Sequence, residues 1–119
     1  MKIYCYSKCS TCKKALSFLK EKQIAFILKE IDQTPPTLEE LETMLHFQKG
    51  NLKRLFNTSG NVYKALGLAH TLDQMPKKEA LTLLSQHGML VKRPFLLAKN
   101  FGLLGFQEKT WLEQFECKI

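Results

Sequence analysis

The chain has 119 residues, of which 45% are hydrophobic and 24% are charged, so it is long and apolar enough for one globular domain and too short for two. Four cysteines fall well below the roughly 8–10% that marks a disulfide scaffold. The 18 basic and 11 acidic residues give a net charge of +7, which excludes an acidic or disordered module and leaves an anionic partner open.

The first thirty residues predict a β-α-β unit. Residues 2–6 are rich in β-branched and aromatic types and predict a short buried strand. A helix is predicted from Cys12 onward because apolar residues recur there at helical spacing, namely Ala15, Leu16 and Leu19. A second strand is predicted from Ile24 to Ile31, and it ends before Pro35 and Pro36, which cannot donate to a ladder.

Residues 33–88 predict a helical insertion. Thr37 and Glu40 have the spacing of a capping box at a helix start, and Gly50 ends that helix. Its predicted buried stripe consists of Leu38, Leu41, Met44 and Leu45. Further helices are predicted over Leu52–Phe56, from a cap at Asn61 to Gly67, and from Pro76 towards Gly88.

Strand character returns in the last third of the chain. It covers Met89–Val91 and Phe95–Ala98, interrupted by Lys92-Arg93-Pro94, and appears again over Leu103–Phe106, followed by a helix from about Glu108 to Phe115. The order β-α-β, helices, β-β-α predicts an α/β fold of the thioredoxin-like type with a mixed sheet. We expect residues 1–119 to form one such domain, with the helical insertion at about 33–88.

The predicted cellular location constrains the cysteine chemistry. No run of about 18 apolar residues suggests a membrane span, and the first residues lack the apolar region of a secretory signal. We therefore expect a cytoplasmic protein with no membrane association. A reducing cytosol keeps thiols free, so a closely spaced cysteine pair there indicates catalysis, redox sensing or metal binding rather than a structural disulfide.

Cys9-Ser10-Thr11-Cys12 is the motif with the clearest chemistry, because its first cysteine lies between the first strand and the first helix. Unpaired N–H groups and the positive end of the helix dipole favour a thiolate at that position. Lys8, Lys13 and Lys14 add positive charge nearby. Cys12 lies one turn further in, close enough to attack a mixed disulfide on Cys9. We predict Cys9 as nucleophile and Cys12 as resolving thiol, with Lys8 and Lys13 positioning the substrate.

Two other interpretations of the cysteine pair stay open. Cys9 and Cys12 could form half of a zinc site, although Cys5 and Cys117 stand alone and the three histidines show no ligand spacing, so we expect no metal. The pair could also consist of small core residues, because cysteine is often buried for packing. Cys5, in the first strand, is predicted to be such a packing residue, and Cys117 an unpartnered thiol near the terminus.

Arg93-Pro94 is the second feature of interest, since it stands at the start of a predicted strand. A thioredoxin-like fold commonly has a cis-proline there, which leaves room for an extended substrate opposite the cysteine pair. Arg93 would then face Cys9 and stabilise a thiolate or an oxyanion. The alternative is a trans-proline at an edge strand beside an arginine that faces solvent.

The order and spacing of these motifs resemble the arsenate reductase (glutaredoxin-type) and Spx family over nearly the whole chain. The residues that carry the resemblance are Cys9-Ser10-Thr11-Cys12-Lys13-Lys14-Ala15, Thr34-Pro35-Pro36-Thr37, Tyr63-Lys64-Ala65-Leu66-Gly67-Leu68 and Lys92-Arg93-Pro94. The resemblance implies a thioredoxin-like domain with a helical insertion and favours the cis form of Pro94.

The arsenate reductase branch implies an enzyme. There, the cysteine corresponding to Cys9 attacks arsenate, three arginines hold the oxyanion, and glutathione with glutaredoxin resolves the adduct. Arg93 matches one arginine, whereas Asn57 (or nearby Ser59) and Phe106 stand at the other two positions. Two missing guanidinium groups are expected to weaken arsenate binding. No bound cofactor is expected, and an external thiol reductant is implied: glutathione with glutaredoxin, or thioredoxin.

The Spx branch implies instead a regulator that binds RNA polymerase, with a CxxC disulfide as its switch. Cys12, which glutaredoxin-dependent arsenate reductases generally lack, resembles this branch. Gly50 lies near the loop used there for polymerase contact, although a glycine at that point also ends a helix. Lys49, Lys53 and Arg54 lack interleaved aromatic residues and predict a solvated basic face, so direct nucleic-acid binding is not expected.

Overall fold

The computed structural model describes residues 1–116, in which a four-stranded mixed sheet has helices on both faces. The strands are β1 (Lys2–Cys5), β2 (Ile27–Glu30), β3 (Phe95–Leu97) and β4 (Gly102–Leu104). Their order across the sheet is β2-β1-β3-β4, with β1 and β2 parallel and β3 antiparallel to both β1 and β4. This is the α/β arrangement that the sequence predicts.

Helices cover the two faces of the sheet. One face is covered by α1 (Ser10–Glu21) and α6 (Glu108–Glu116). The other is covered by the segment between β2 and β3, which contains α2 (Leu38–Phe47), α3 (Asn61–Ala65), α4 (Leu68–Thr71) and α5 (Lys77–Gln86). Short 3-10 turns lie in the same segment at Leu52–Leu55, Leu72–Gln74 and Gly88–Leu90. Within residues 1–116, no helix combines the length and the apolar character that crossing a membrane requires.

The alternation of side chains along β1 divides the core into two parts. Ile3 and Cys5 point to the α1 and α6 side, where Trp111 is 1% exposed. Tyr4 points to the opposite side and packs edge-on against Phe95, with ring centroids 5.7 Å apart. Because successive strand residues face opposite ways, Cys5 shares the face of the sheet on which α1 packs.

Helix α2 is tied to β1 through Glu40, which also completes the capping box with Thr37. The Glu40 carboxylate accepts hydrogen bonds from Lys2 Nζ at 2.7 Å and from the Tyr4 hydroxyl at 2.6 Å. Although burial by itself raises the pKa of Glu40, these hydrogen bonds lower it below its ordinary value. The capping box that the sequence predicts is thus confirmed, and it also joins the second helical layer to the sheet.

The predicted start of the second strand is wrong, because Ile24 belongs to the end of α1. Gln23 has φ +57°, and its N–H donates to the Lys20 carbonyl at 3.0 Å. The Ile24 N–H donates to the Leu19 carbonyl at 2.9 Å. These two bonds form a Schellman motif, which uses the apolar Ile24 to close the helix, so β2 begins only at Ile27.

The strand predicted over Met89–Val91 is also wrong. Gly88–Leu90 forms a 3-10 turn, and Val91 makes only an isolated antiparallel bridge with Phe56. Gly88 lies so close to the Ile31 carbonyl group that a Cβ at this position would overlap it. The apolar residues that predicted a strand therefore lie outside the sheet, and Val91 bridges to Phe56 in the segment between β2 and β3.

Three smaller expectations differ from the structure. Leu38 is 38% exposed, because it is the first residue of α2 and lies beyond the core. Gly60 rather than Asn61 is the N-cap of α3. The last strand ends before Phe106, because Gly105 has φ +72° and turns the chain towards α6. Cys117 lies outside the described residues.

Candidate redox site

The CxxC motif lies at the start of α1. Cys9 is the N-cap residue, with extended backbone angles, and its N–H donates to the Tyr6 carbonyl at 3.0 Å. The helix therefore begins at Ser10, slightly earlier than the apolar spacing predicts. Cys9 is partly exposed, whereas Cys12, in the first turn, is 1% exposed. An outer and an inner cysteine at a helix start is the arrangement expected of a nucleophile and a resolving thiol.

The sulfur of Cys12 is surrounded by groups that stabilise negative charge. The neighbouring Cys5 thiol lowers the pKa of Cys12 below its usual range, against the opposing effect of burial. The Tyr6 N–H, the Cys9 thiol and the positive charge of Arg93 contribute further lowering. The same contact, together with burial, raises the pKa of Cys5.

Arg93 lies beside the cysteine pair. Its positive charge lowers the pKa of Cys12, whereas the predicted partner was Cys9. Its guanidinium carbon is 5.2 Å from the centroid of the Tyr6 ring, in a cation–π contact. One guanidinium nitrogen is 3.6 Å from Met89 Sδ. Tyr6 and Met89 thus fix the orientation of Arg93, and its predicted action on Cys9 stays a prediction.

The Arg93–Pro94 peptide bond is cis, as the resemblance implies. Pro94 is buried and immediately precedes β3, and its carbonyl accepts a hydrogen bond from the Gly105 N–H at 2.9 Å. Since Tyr4 pairs with Phe95 in the antiparallel register, Pro94 lies next to the end of β1. It therefore lies near the loop that leads from β1 to Cys9.

A cavity of about 570 Å³ opens beside the cysteine pair, and Thr11 of the CxxC motif lines it. Four basic residues contribute to its wall: Lys53, Arg54, Lys92 and Arg93. Among residues 1–116, no aspartate or glutamate lines this cavity. Concentrated positive charge without a neutralising carboxylate favours an anionic ligand.

Lys53 and Arg54 line this wall, whereas their sequence predicted a solvated basic face. Both are exposed, but the Phe56–Val91 bridge brings their segment against Lys92. The Lys92 N–H donates to the Leu55 carbonyl at 2.8 Å. The two basic dipeptides are 39 positions apart along the chain, and no local sequence pattern predicts that contact.

The two positions at which the resemblance implies further arginines are occupied differently. Phe106 lines the cavity and packs against Phe18 and Trp111, with ring centroids 5.7 and 4.9 Å away. Asn57 is partly buried, and its N–H donates to the Leu90 carbonyl at 2.8 Å. Thr58, rather than Asn57, contributes to the cavity wall.

The structure does not bring Lys8 or Lys13 into this wall. Both are exposed, and Lys13 lines a separate cavity of about 340 Å³ together with Lys14 and Glu108. Their roles in positioning a substrate stay predictions. Among residues 1–116, no group of three or more histidine, cysteine, aspartate or glutamate side chains is arranged to hold a metal ion.

The sheet order, the cysteine pair at the start of α1 and the cis-proline before β3 define a thioredoxin-like protein with a CxxC motif. The model of the ArsC family matches residues 4–114, and the chain belongs to this family.

The proteins similar to this chain are described as having different functions. The chain is 41% identical to the protein YusI of Bacillus subtilis over 115 residues, covering 95% of this chain and 92% of YusI. A structure described as a possible arsenate reductase of Streptococcus mutans superposes with a TM-score of 0.83 at 36% identity, covering 89% of this chain and 90% of that one. The global transcriptional regulator Spx 2 of Bacillus cereus is 27% identical, covering 90% of this chain and 80% of its own length.

Proposed function

We propose that the protein is a cytoplasmic thiol–disulfide oxidoreductase that uses Cys9 as nucleophile and Cys12 as resolving thiol. The observation that carries the proposal is the placement of the two cysteines: Cys9 is partly exposed at the start of α1, and Cys12 is buried in the first turn of that helix. The basic cavity beside them supports an anionic oxidised substrate, with arsenate as one candidate.

The proposed reaction on a disulfide substrate has three steps. The Cys9 thiolate attacks one substrate sulfur, forms a mixed disulfide and releases the other sulfur as a thiolate. The Cys12 thiolate then attacks Cys9, releases the second substrate thiolate and leaves a Cys9–Cys12 disulfide. An external reductant, either glutathione with glutaredoxin or thioredoxin, returns both cysteines to thiols. With arsenate, the Cys9 thiolate attacks arsenic, one arsenate oxygen takes up protons and leaves as water, and Arg93 balances the charge of the oxyanion. Cys12 then attacks the Cys9 sulfur, the electron pair of the sulfur–arsenic bond passes to arsenic, and arsenite leaves behind a Cys9–Cys12 disulfide.

A second candidate function is a redox-sensing regulator that binds RNA polymerase. It is supported by the likeness to Spx 2 together with the cysteine pair, which would act as a switch. Gly50 has a structural role at the end of α2, because its N–H donates to the Leu45 carbonyl at 2.9 Å and so completes a Schellman motif. The support for the regulator thus comes from the relative and from the CxxC pair.

An assay of turnover beside a binding assay separates these functions. The oxidoreductase proposal expects reduction of arsenate or of a disulfide at the expense of glutathione, glutaredoxin or thioredoxin. If the protein is instead a regulator, we expect the immobilised protein to retain RNA polymerase in one redox state and to release it in the other, without turnover. Retention that depends on the redox state, with no turnover of any of these substrates, would overturn the oxidoreductase proposal.

We expect arsenate reduction by the unmodified protein to be slow and weakly saturable. Each charged hydrogen bond lost from an oxyanion site costs roughly 1.5–3 kcal/mol, so the absence of two arginines lowers catalytic efficiency by about two to four orders of magnitude. Introducing Asn57→Arg with Phe106→Arg should raise arsenate kcat/KM by at least about tenfold.

The control for this double variant is Phe106→Leu, which removes the ring contacts to Phe18 and Trp111 without adding a charge. It should not raise arsenate turnover. Efficient turnover by the unmodified protein would contradict the expectation and would show that Lys53, Arg54 or Lys92 already completes the oxyanion site.

A further inference from the structure

We propose that the cavity beside the cysteine pair takes a disulfide whose carbon chains end in carboxylates, and that Arg54, oriented by Gln48, binds one of these carboxylates. This inference rests on the proposed function, because it names the class of substrate on which Cys9 and Cys12 act. It makes Arg54 a substrate-binding residue and Gln48 a positioning residue.

The wall of this cavity combines apolar side chains with basic ones. Phe56, Leu104 and Phe106 line it together with the four basic residues. Aromatic rings pack well against carbon chains, whereas they offer no hydrogen-bond donor to an inorganic oxyanion. The volume of about 570 Å³ lies in the range of about 300–1,000 Å³ that holds ligands of drug size, and arsenate is far smaller. The wall therefore fits an organic anion better than an inorganic one.

Hydrogen bonds fix the orientation of Arg54 in this wall. Arg54 Nε donates to Gln48 Oε1 at 3.0 Å, and Gln48 Nε2 donates to the Gly102 carbonyl at 3.2 Å. Gln48, at the end of α2, thus connects Arg54 to β4. Because this bond uses Nε, the two terminal nitrogens of the guanidinium group can form the fork that binds a carboxylate.

The other basic side chains are held by different parts of the fold. Arg93 is oriented by Tyr6 and Met89, and Lys92 extends along the turn after β4, where a Cβ on Gly105 would lie 3.3 Å from Lys92 Cε. In the part of the chain that the structure describes, neither Arg54 nor Arg93 forms an ion pair with an aspartate or glutamate. Two separately anchored guanidinium groups match a ligand with more than one carboxylate.

Arg54 acts on the binding of such a substrate and takes no part in the bond changes. The Cys9 thiolate attacks one sulfur of the disulfide, the sulfur–sulfur bond breaks, and its electron pair leaves on the other sulfur as a thiolate. Arg54 favours the orientation in which a carboxylate-bearing disulfide meets Cys9. Its removal should therefore affect a charged substrate more than a neutral one of the same shape.

The test compares dithiodipropionate with its diamide, which has the same chain length and no charge. Reduced Cys117→Ser protein is mixed with an excess of either disulfide, and the released thiol, measured by chromatography, gives a second-order rate constant. The preference is the ratio of the rate constant for the dicarboxylate to that for the diamide. Both rate constants come from the same protein sample, so a fraction of misfolded protein cancels in the ratio.

Arg54→Gln should lower this preference by about five- to tenfold, which is less than for a buried pair because Arg54 is exposed. Arg54→Lys, which keeps the charge and loses the fork, should lower it by about two- to threefold. The control is Lys78→Gln, which removes the same charge from an exposed position of α5 outside the cavity wall and should leave the preference unchanged.

Gln48→Leu tests the positioning role, because it removes the acceptor that holds Arg54 Nε. It should lower the preference by about two- to threefold in the otherwise intact cavity and have little further effect in Arg54→Gln protein. Equal effects of Gln48→Leu with and without Arg54 would overturn the positioning role, since Gln48 would then act independently of Arg54.

An unchanged preference in Arg54→Gln would overturn the proposal, and so would an equal loss in Lys78→Gln, which would indicate a diffuse effect of net charge. Stronger inhibition of the dicarboxylate reaction by sulfate than by adipate, at equal ionic strength, would overturn it as well, because the wall would then be a site for small oxyanions. Failure of the proposed function is distinguishable from these outcomes. It would appear as the absence of a Cys9–Cys12 disulfide after treatment with either substrate.

Discussion

Replacing Cys9 with serine is expected to abolish the rapid reaction of the protein with disulfides. Cys9 is the partly exposed member of the pair, whereas Cys12 and Cys5 are 1% and 2% exposed and cannot be reached by an external disulfide in the folded chain. Loss of the attacking nucleophile typically lowers the rate by about a thousandfold or more. The release of thiolate from an aromatic dicarboxylate disulfide, followed by stopped-flow absorbance, measures this rate.

Cys12→Ser is the matched variant for this experiment, and both substitutions are made in Cys117→Ser protein so that the terminal thiol does not contribute. Cys12→Ser should keep the rapid first release of thiolate and lose the second, because the mixed disulfide on Cys9 can no longer be resolved internally. If Cys9→Ser kept the rapid phase and Cys12→Ser lost it, the two assigned roles would be reversed.

The second large effect concerns the turn that leads into the site. Gly88→Ala is expected to destabilise the protein by about 2–4 kcal/mol, because the added Cβ would overlap the backbone carbonyl group of Ile31. Its distance to the carbonyl carbon would be 2.9 Å, and a backbone group cannot move aside as a flexible side chain can. Urea unfolding, followed by circular dichroism, gives the change in free energy.

Gly50→Ala is the control for this substitution. Gly50 has φ +79°, and a Cβ there would meet no atom within 4 Å, so only the conformational cost of about 1 kcal/mol applies. Gly88→Ala should therefore be the more harmful substitution, even though its φ is not in the left-handed region. Equal effects of the two substitutions would contradict the close contact between Gly88 and Ile31.

The features that the sequence predicted correctly depend on neighbouring residues. The capping box of Thr37 and Glu40 spans four positions, and both of its hydrogen bonds form as expected. The junction between β1 and α1 follows from a change in side-chain periodicity, which placed Cys9 at a helix start. Local rules of this kind were enough to predict the order of strands and helices, except that they extended strand character to Met89–Val91.

The features that the sequence did not predict depend on contacts between distant segments. The burial of Cys5 and Cys12 in one cluster needs the packing of α1 on a particular face of β1, although the shared face of Ile3 and Cys5 is a signal that could have indicated it. The basic cavity wall needs the Phe56–Val91 bridge, which joins two segments that look unrelated in sequence.

Mass-spectrometric mapping of disulfides in the unmodified protein, after treatment with peroxide and trapping of free thiols, tests the central assignment most directly. If Cys9 is attacked first and Cys12 resolves it, the Cys9–Cys12 disulfide should be the dominant product, because the local concentration of Cys12 far exceeds that of any external thiol. A sulfenic acid or a mixed disulfide that persists on Cys9, with Cys12 still a free thiol, would contradict the account.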